Sequence, residues 1–484
     1  MTDVAHANMF AFDNSYARLP ERFHARLHPT PVADPKLIRI NEPLARELGI
    51  DPARLASAEG VAVLAGNRVP QGAEPLAMAY AGHQFGNWVP QLGDGRAVLL
   101  GEVKGFDIQL KGSGPTPFSR NGDGRAALGP VLREFIVGEA MAALGVPTTR
   151  TLAAVTTGER VLRQDGPLPG AVLTRVSKSH VRVGTFEYFG NRGDVEAVKT
   201  LADYVIARLY PDVDSYRALL ETVIERTAQL VARWQLLGFI HGVMNTDNVS
   251  IAGETIDYGP CAFMDRYDPA TVFSSIDRGG RYAYGNQPRI AHWNLVRFAQ
   301  ALLPLLGENE QAALASAQEA INAYPGRFEA AYFAGLCLKV GFAQKREGDL
   351  ELIGELFRHM ADGRADFTLT FRHLSDGHDE KLRALFDNAA ALDVWLGKWR
   401  ARLAEETVSP QERAAAMRRV NPLFIPRNHR VEAVIVAAQA RGDYAPFDEL
   451  RAVLAKPFDD QPAFARYADP PQAGEEVTET FCGT

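Results

Sequence analysis

The stretch HGVMNTDNVSIAGETIDYGP, residues 241–260, joins a polar loop to an Asp-Tyr-Gly triplet. Asn248 and Asp257 flank its apolar middle, which we predict to be a short hairpin turning at Ala252-Gly253. Such a hairpin would bring both side chains to the same end. Amide and carboxylate oxygens are hard ligands suited to Mg²⁺ that bridges phosphates. The stretch therefore predicts a metal site, and the alternative is that Asn248 caps a turn and Asp257 caps a helix.

The same stretch resembles the catalytic centre of a protein kinase, in which a His-Arg-Asp loop precedes an Asn and an Asp-Phe-Gly triplet. The Asp of that loop is the kinase base, but the triplet here is His241-Gly242-Val243. Val243 cannot accept a proton. A general base must come within hydrogen-bond reach of the acceptor hydroxyl, and Asp247 is the only carboxylate in the loop. Asp247 is therefore the candidate base, unless it only shapes a turn with its neighbour.

Glycines in QLGDGRA, at Gly93 and Gly95, stand between two apolar runs and predict a hairpin. A glycine turn can bring backbone N–H groups close to phosphates, although it is also a common plain turn. Next, FDIQLKG alternates between apolar and polar residues and predicts a half-buried strand that ends at Lys111.

Kinases pair a strand lysine with a helix glutamate. The helix that we predict from Ala127 to Leu144 offers Glu134 and Glu139. Glu134 shares a face with apolar residues of that helix, as an inward-facing residue would, but the sequence does not exclude Glu139.

Two arginines in TRVSKSHVRVG, Arg175 and Arg182, form a further candidate site. Guanidinium forks suit phosphate oxygens, and Lys178 adds charge. The alternative is a solvated basic strand.

The composition restricts the class of protein. The chain has 484 residues, is 46% hydrophobic and carries a net charge of -7. This charge argues against a nucleic-acid or polybasic membrane protein. We see no secretory signal and no apolar run that would span a bilayer. Three cysteines, without zinc-site spacing, suit a reducing compartment, so we expect a cytoplasmic protein.

The order of predicted elements indicates an α+β protein with a two-lobed protein-kinase-like fold and a helical C-terminal extension. Strands are predicted over residues 151–163 and 170–176. Helices are predicted over residues 43–50, 218–239, 292–306, 310–324, 327–340 and 350–360. The expected units are an N-terminal extension (1–75), an N-lobe (76–183), a C-lobe (184–345) and a helical extension with a tail (346–484). From about Ala440 that tail is rich in proline and acidic residues and shows weak periodicity.

Long phrases of the sequence resemble the selenoprotein O family, which consists of protein adenylyltransferases with a pseudokinase fold. They lie between Phe12 and Val434 and include YAGHQFGNWVPQLGDGRA, FDIQLKGSGPTPFSRNGDGRAALGPVLREF, HGVMNTDN, DYGPCAFMD and NPLFIPRNHRVEAV. The resemblance thus covers nearly the whole chain.

This resemblance implies that ATP binds in a flipped orientation and that AMP passes to Ser, Thr or Tyr hydroxyls of proteins with Mg²⁺ or Mn²⁺. It leaves UMP transfer from UTP open. It also implies that the nucleotide is bound by Gly93, Gly95, Arg96 and Lys111, and its adenine or ribose end by Asp123 and Gly124. It implies further that Lys111 pairs with Glu134 and that the outer phosphates are bound by Arg175 and Arg182. The base would be Asp247, and the metal ligands would be Asn248 and Asp257.

Bacterial members of the family can pair a cysteine near the C-terminus with one in the activation segment. Cys482 matches the first position, but DPATVFSSIDRGG contains no cysteine, while Cys261 follows DYGP directly and Cys337 lies in an apolar helix. The sequence also leaves two other functions open. One is an ordinary phosphotransferase, with the γ-phosphate facing the acceptor, and the other is an inactive nucleotide-binding scaffold, against which the intact Lys111, Asn248 and Asp257 speak.

Overall fold

The computed structural model describes residues 8–164 and 166–481. It combines one large antiparallel sheet with many helices. The strands are β1 (Phe12–Asp13), β2 (His24–Arg26), β3 (Lys36–Ile40), β4 (Leu76–Met78), β5 (Gly82–Gln84), β6 (Asn87–Val89), β7 (Ala97–Val103), β8 (Phe106–Lys111), β9 (Ala126–Ala127), β10 (Arg150–Arg163), β11 (Gly166–Ser177), β12 (Phe239–Ile240) and β13 (Ala262–Phe263).

The large sheet has the order β2-β4-β7-β8-β11-β10-β3, and β1 and β9 pair with β7 and β11. Its three strands from the first 75 residues are therefore part of the same sheet as those that follow. Two small ribbons, β5–β6 and β12–β13, stand apart from it. Strand β12 leads directly into the loop at His241, and β5 contacts that loop.

The helices are α1 (Glu42–Glu47), α2 (Pro52–Ala56), α3 (Ala58–Leu64), α4 (Leu128–Ala143), α5 (Val183–Gly190), α6 (Val195–Leu209), α7 (Tyr216–Leu237), α8 (Gln287–Leu302), α9 (Glu310–Asn322), α10 (Tyr324–Val340), α11 (Asp349–Asp362), α12 (Phe367–Asp376), α13 (Asp379–Arg383), α14 (Ala389–Leu403), α15 (Pro410–Arg418), α16 (Asn428–Arg441) and α17 (Ala445–Leu454). The predicted helices are confirmed. The longest, α7, ends at Gly238, whose φ of 71° gives the left-handed cap that glycine adopts without strain.

The strand predicted at FDIQLKG is confirmed as β8, but the prediction that it is half-buried is wrong. Its polar face is buried as well as its apolar face, with Asp107 1% and Gln109 0% exposed. Asp107 accepts hydrogen bonds from His180 and Arg208, and Gln109 donates to Asp94. Buried polar partners, rather than water, therefore satisfy this face.

The hairpin predicted at Gly93–Gly95 is wrong, because β6 before it pairs with β5 and β7 after it pairs with β8. The tight hairpin lies instead between β7 and β8, where Lys104 and Gly105 have φ values of 50° and 79°. These left-handed residues give the turn whose twist suits a two-residue hairpin.

The hairpin predicted between Asn248 and Asp257 is also wrong, although a turn does occur at Gly253, with φ of 71°. Its two arms pair with other segments: Ser250 forms a bridge with Arg182, and Thr255 forms one with Thr148. Long-range partners therefore fix the two ends of the stretch independently.

Helix α4 lies between the sheet and the C-terminal helices. One side contacts β10 and β11, and the other contacts α16 and α17. The rings of Phe135 on α4 and Phe447 on α17 meet edge to face, with centroids 5.4 Å apart. The prediction of weak periodicity after residue 440 is therefore wrong, because Phe447, Leu450 and Val453 form a buried stripe on α17.

Within residues 8–164 and 166–481, no helix is both long and apolar enough to cross a bilayer. Cys261 and Cys337 are both buried. Cys482, for which the sequence offered no partner in the activation segment, lies outside the described residues.

Candidate active site

The strand lysine and a helix glutamate meet in a largely buried position between β8 and α4. Lys111, at the end of β8, donates to Glu134 Oε2 on α4 over 2.6 Å. Glu139, the alternative that the sequence left open, lies one turn further along α4 and binds Arg150 instead, with Arg150 Nη2 2.7 Å from its Oε2. Burial, with Arg175 nearby, lowers the pKa of Lys111.

Arg175 on β11 closes a buried network around this pair. Its Nε donates to Glu134 Oε1 over 2.7 Å and its Nη2 donates to Asp257 Oδ1 over 2.6 Å. The side chain is 1% exposed. Because two carboxylates surround it, the pKa of the Arg175 guanidinium is raised despite the cost of burial.

Asp257 is the residue on which the cations converge. Lys111 Nζ lies 3.1 Å from Oδ1, and Arg182 Nη2 lies 3.6 Å from Oδ2. Burial works against its charge, but Arg175, Lys111 and Arg182 hold the pKa of Asp257 well below its usual range. Asp257 also has a φ of 63°, in the left-handed region that few residues other than glycine adopt.

Arg182 lies at the N-terminus of α5 and is 3% exposed. Its guanidinium covers the ring of Tyr80, with Cζ 4.4 Å from the ring centroid, and its Nη2 lies 3.9 Å from Asp94 Oδ1. Arg175 and Arg182 are both buried, so the alternative of a solvated basic strand is wrong.

Hydrogen bonds to backbone oxygens hold the loop that begins at His241. His241 Nε2 lies 2.9 Å from the backbone oxygen of Ile256, next to Asp257, and burial lowers the pKa of the ring. The Asn248 amide nitrogen donates to the backbone oxygen of Val243 over 3.1 Å. This bond uses the nitrogen of the amide and leaves its oxygen as the atom suited to a cation.

Asp247 lies on a 3₁₀ turn, Thr246–Asn248. Gln84 Nε2 donates to its Oδ2 over 3.3 Å, while its Oδ1 is buried and has no hydrogen-bond partner among the described residues. Burial raises the pKa of Asp247 to about 6. Gly82 packs directly on the carboxylate, because a Cβ there would lie 2.5 Å from Oδ1.

The glycines of the QLGDGRA segment serve close packing. Gly93 has a φ of 74°, and a Cβ on it would overlap the Phe118 ring; one on Gly95 would lie 2.9 Å from the Phe118 oxygen. Arg96 accepts a hydrogen bond at its backbone oxygen from Gly112 over 2.6 Å. The segment is thereby held against the loop that follows β8.

Asp123 and Gly124 lie in that same loop. Asp123 accepts from the backbone nitrogen of Arg125 over 2.9 Å and from Arg163 Nη1 on β10 over 2.8 Å. Gly124 has a φ of 65°, and its oxygen accepts from Gly114 over 3.0 Å. These contacts differ from those of the Lys111 cluster, so the exposed Asp123 and the buried Gly124 lie apart from that cluster.

Sequence reasoning missed several residues that shape the site: Tyr80, Gly82, Gln84 and Asp94. Asp94 stands inside the GDG motif, but the motif indicated a turn and not a buried carboxylate 2% exposed. Gln84 and Gly82 belong to the ribbon β5–β6, which contacts the Asp247 loop although more than 150 residues of sequence separate the two. No local pattern reports such a contact.

The sequence matches the family described as protein adenylyltransferase SelO over residues 7–455. The chain belongs to the SelO family. Membership makes it an enzyme of the nucleotidyltransferase class.

Relatives within the SelO family are similar over their full length. A protein nucleotidyltransferase YdiU of Bradyrhizobium sp. (strain BTAi1 / ATCC BAA-1182) is 64% identical over 98% of this chain and 99% of its own. The proteins of the same description from Rhodopseudomonas palustris (strain BisB18) and from a strain of Methylorubrum extorquens are each 63% identical, with the same coverage.

The donor atoms of this candidate site fit a divalent cation. Asp257 is held ionised, Asn248 keeps its amide oxygen available, and the buried Asp247 Oδ1 has no hydrogen-bond partner in the part of the chain that the structure describes. Carboxylate and amide oxygens are the donors that Mg²⁺ and Mn²⁺ prefer. A cation on Asp257 would share this carboxylate with Arg175 and Lys111.

Proposed function

We propose that the chain transfers AMP from ATP to Ser, Thr or Tyr hydroxyls of proteins. Family membership supports adenylyl transfer, and the arrangement around Asp257 supports a bound triphosphate. The observation that carries the proposal is the convergence of Lys111, Arg175 and Arg182 on one carboxylate, beside a loop whose only carboxylate is Asp247.

The nucleotide would lie in the flipped orientation, with its α-phosphate toward the acceptor. Lys111, fixed by Glu134, and the buried forks of Arg175 and Arg182 would bind the β- and γ-phosphates, where charge develops as pyrophosphate leaves. Gly93, Gly95 and Arg96 would line the phosphate path, and Asp123 and Gly124 would hold the adenine or ribose end.

In the proposed step the acceptor hydroxyl gives its proton to Asp247 while its oxygen forms a bond to the α-phosphorus. The bond from that phosphorus to the bridging oxygen breaks, and pyrophosphate departs with the electron pair. Asn248 and Asp257 would hold Mg²⁺ or Mn²⁺, which neutralises phosphate charge when bound. Gln84 would keep the Asp247 carboxylate directed at the acceptor.

We further propose that the architecture is the two-lobed kinase-like one, with an N-terminal extension (1–75), an N-lobe (76–183), a C-lobe (184–345) and a helical extension (346–484). The lysine–glutamate pair between a strand and a helix, and the Asp-Tyr-Gly triplet after a polar loop, support it. The paucity of cysteines suits the cytoplasm.

Two other functions make different predictions. An ordinary phosphotransferase would need its base at the position of Val243, which is 6% exposed and apolar. An inactive scaffold would not need the buried, costly convergence of charges on Asp257, since a scaffold has no developing charge to stabilise.

Incubation with ATP labelled at either the α- or the γ-phosphate distinguishes these functions. We expect protein-bound label from α-labelled ATP and none from γ-labelled ATP. Label from the γ-phosphate would favour the phosphotransferase, and bound nucleotide without any transfer would favour the scaffold. Repeating the assay with UTP decides whether UMP is also transferred.

A further inference from the structure

An aromatic cluster lies beside the Asp247 loop, on the ribbon β5–β6 and helix α8. The His83 ring lies between two tryptophans, with its centroid 4.9 Å from Trp88 and 5.3 Å from Trp293. Glu187 fixes the ring through Nδ1 at 2.6 Å. Trp88 is 36% exposed, which is high for so large an apolar side chain.

Two arginines stack on this cluster. The Cζ atoms of Arg281 and Arg297 lie 4.8 Å and 5.0 Å from the Trp293 centroid. The Nε atoms of both are buried and lack a hydrogen-bond acceptor in the described part of the chain, where neither residue forms an ion pair. Both arginines are only partly buried, so their guanidinium groups remain accessible to a ligand, although Arg297 also acts on the nearby Glu187 and Arg281 on Tyr282. The patch therefore presents positive charge beside exposed aromatic surface.

The cluster is continuous with the base. A Cβ on Gly86, at the tip of the ribbon, would lie 3.5 Å from Arg281 Cζ. The Tyr282 hydroxyl and the Phe85 backbone nitrogen both donate to Asn245 Oδ1, over 2.6 Å and 3.0 Å. Asn245 precedes Asp247 by two residues, and Gln84 binds Asp247 itself. A chain lying on the cluster would thus reach the loop.

We propose that this arginine–tryptophan patch (His83, Trp88, Arg281, Trp293 and Arg297) docks the acceptor polypeptide and selects hydroxyls flanked by Asp or Glu. The proposal rests on the proposed function and names its substrate class. Guanidinium forks bind carboxylates strongly, and stacking on tryptophan holds them rigid before binding. Tryptophan and arginine are also the residues that dominate binding at protein interfaces.

The test uses three peptides of one sequence, each with a single acceptor serine flanked by Glu, by Gln or by Lys. We expect the kcat/KM for AMP transfer to the Glu peptide to exceed that for the Gln peptide by about tenfold, and the Lys peptide to be the poorest. The variant Arg281→Gln/Arg297→Gln should lower the kcat/KM for the Glu peptide to that for the Gln peptide. Arg358→Gln, at an exposed arginine of α11, is the matched control and should keep the preference.

Equal transfer to the Glu and Gln peptides by the wild type would overturn the proposal. So would a double variant in which the KM for ATP rises while the preference for the Glu peptide is kept. So would failure of all three peptides in a preparation that labels protein from α-labelled ATP. Binding of a fluorescent Glu peptide, measured by anisotropy without nucleotide, tests peptide docking on the patch independently of AMP transfer. Binding that depends on both arginines, in a protein that transfers no AMP, would refute the proposed function and leave the patch intact.

Discussion

At the scale of single residues, Asp257 combines a left-handed backbone with a carboxylate that three cations share. A left-handed conformation costs a residue with a Cβ about 1–2 kcal/mol, and Asp tolerates it better than most. The surrounding charges stabilise it in this position. Such local strain at the meeting point of Lys111, Arg175 and Arg182 is typical of functional sites.

Replacing Asp257 by Asn tests its role as a cation ligand while keeping a side chain that tolerates a positive φ. We expect Asp257→Asn to abolish AMP transfer and to weaken Mn²⁺ binding in the presence of ATP, measured by calorimetric titration, because the charged ligand is lost. Asn248→Ala should behave similarly. Unchanged Mn²⁺ affinity in both variants would show that these residues do not hold the cation.

Arg175 should contribute to stability as well as to nucleotide binding. Its removal leaves Glu134 and Asp257 buried with fewer counter-charges, and breaking a buried pair costs about 3–5 kcal/mol. We expect Arg175→Ala to lower the melting temperature of the free protein by several degrees. Arg163→Ala, which removes an ion pair with the half-exposed Asp123, should change the melting temperature little. Equal melting temperatures for the two variants would contradict this account of the network.

At the scale of elements, helix α10 carries a buried cation of a different kind. Lys339 is 3% exposed and lies with Nζ 4.1 Å from the Phe371 ring centroid. Burial lowers its pKa from 10.5 to about 7. The unfolded chain therefore binds more protons than the folded chain between pH 7 and 10.5, and this residue makes stability rise with pH across that window.

Lys339→Met should stabilise the protein at neutral pH, because it removes the cost of burying the ammonium group while keeping its apolar stem. The advantage over the wild type should shrink as the pH rises towards 10.5. Urea denaturation at several pH values in this range measures both effects. A gain that does not depend on pH would show that packing, and not charge, limits stability here.

The sequence predicted individual elements better than the pairing between them. Periodicity located β8, β10, β11 and α7, because each is long and strongly patterned. It placed two hairpins wrongly, since at Gly95 each flanking strand pairs with its other neighbour along the chain, and at Gly253 the two arms pair with segments far away in sequence. It also took Asp107 and Gln109 for a solvated face, because their buried partners come from other elements.

For the candidate site, too, the sequence predicted individual residues better than the contacts between them. Alternation and helical spacing brought Lys111 and Glu134 under consideration, but only the folded sheet shows that Arg175 reaches both Glu134 and Asp257. The roles given to Asn248, Asp247 and the glycines remain predictions, since geometry alone does not test them.

At the scale of the whole molecule, the C-terminal tail returns to the centre. Thr480 is 2% exposed; its nitrogen donates to the Phe273 oxygen over 2.7 Å, and its hydroxyl donates to the Pro260 oxygen over 2.7 Å. Pro260 follows the Asp-Tyr-Gly triplet directly. The tail thus holds the segment after the triplet in place, although the sequence of the tail gave no sign of it.

Removing the residues after Ala468 should loosen this segment without unfolding the sheet. We expect amide hydrogen exchange to quicken over residues 260–280 and transfer of AMP to fall, because Phe273 and Pro260 lose their partners. Exchange in β10 and β11 should stay slow. A truncated protein with unchanged exchange over residues 260–280 would contradict a stabilising role for the tail.

In the proposed reaction Asp247 directs an acceptor hydroxyl to the α-phosphate. The most direct test is mass spectrometry of the modified acceptor after incubation with ATP, for the wild type and for Asp247→Asn, with Asp212→Asn at an exposed loop residue as the control. We predict an AMP group on a hydroxyl side chain in the wild type and the control. The Asp247 variant should form it about 10²–10⁴-fold more slowly, with ATP binding largely retained. A phosphoryl group in place of AMP, formed in a reaction that needs Asp247, would contradict the account.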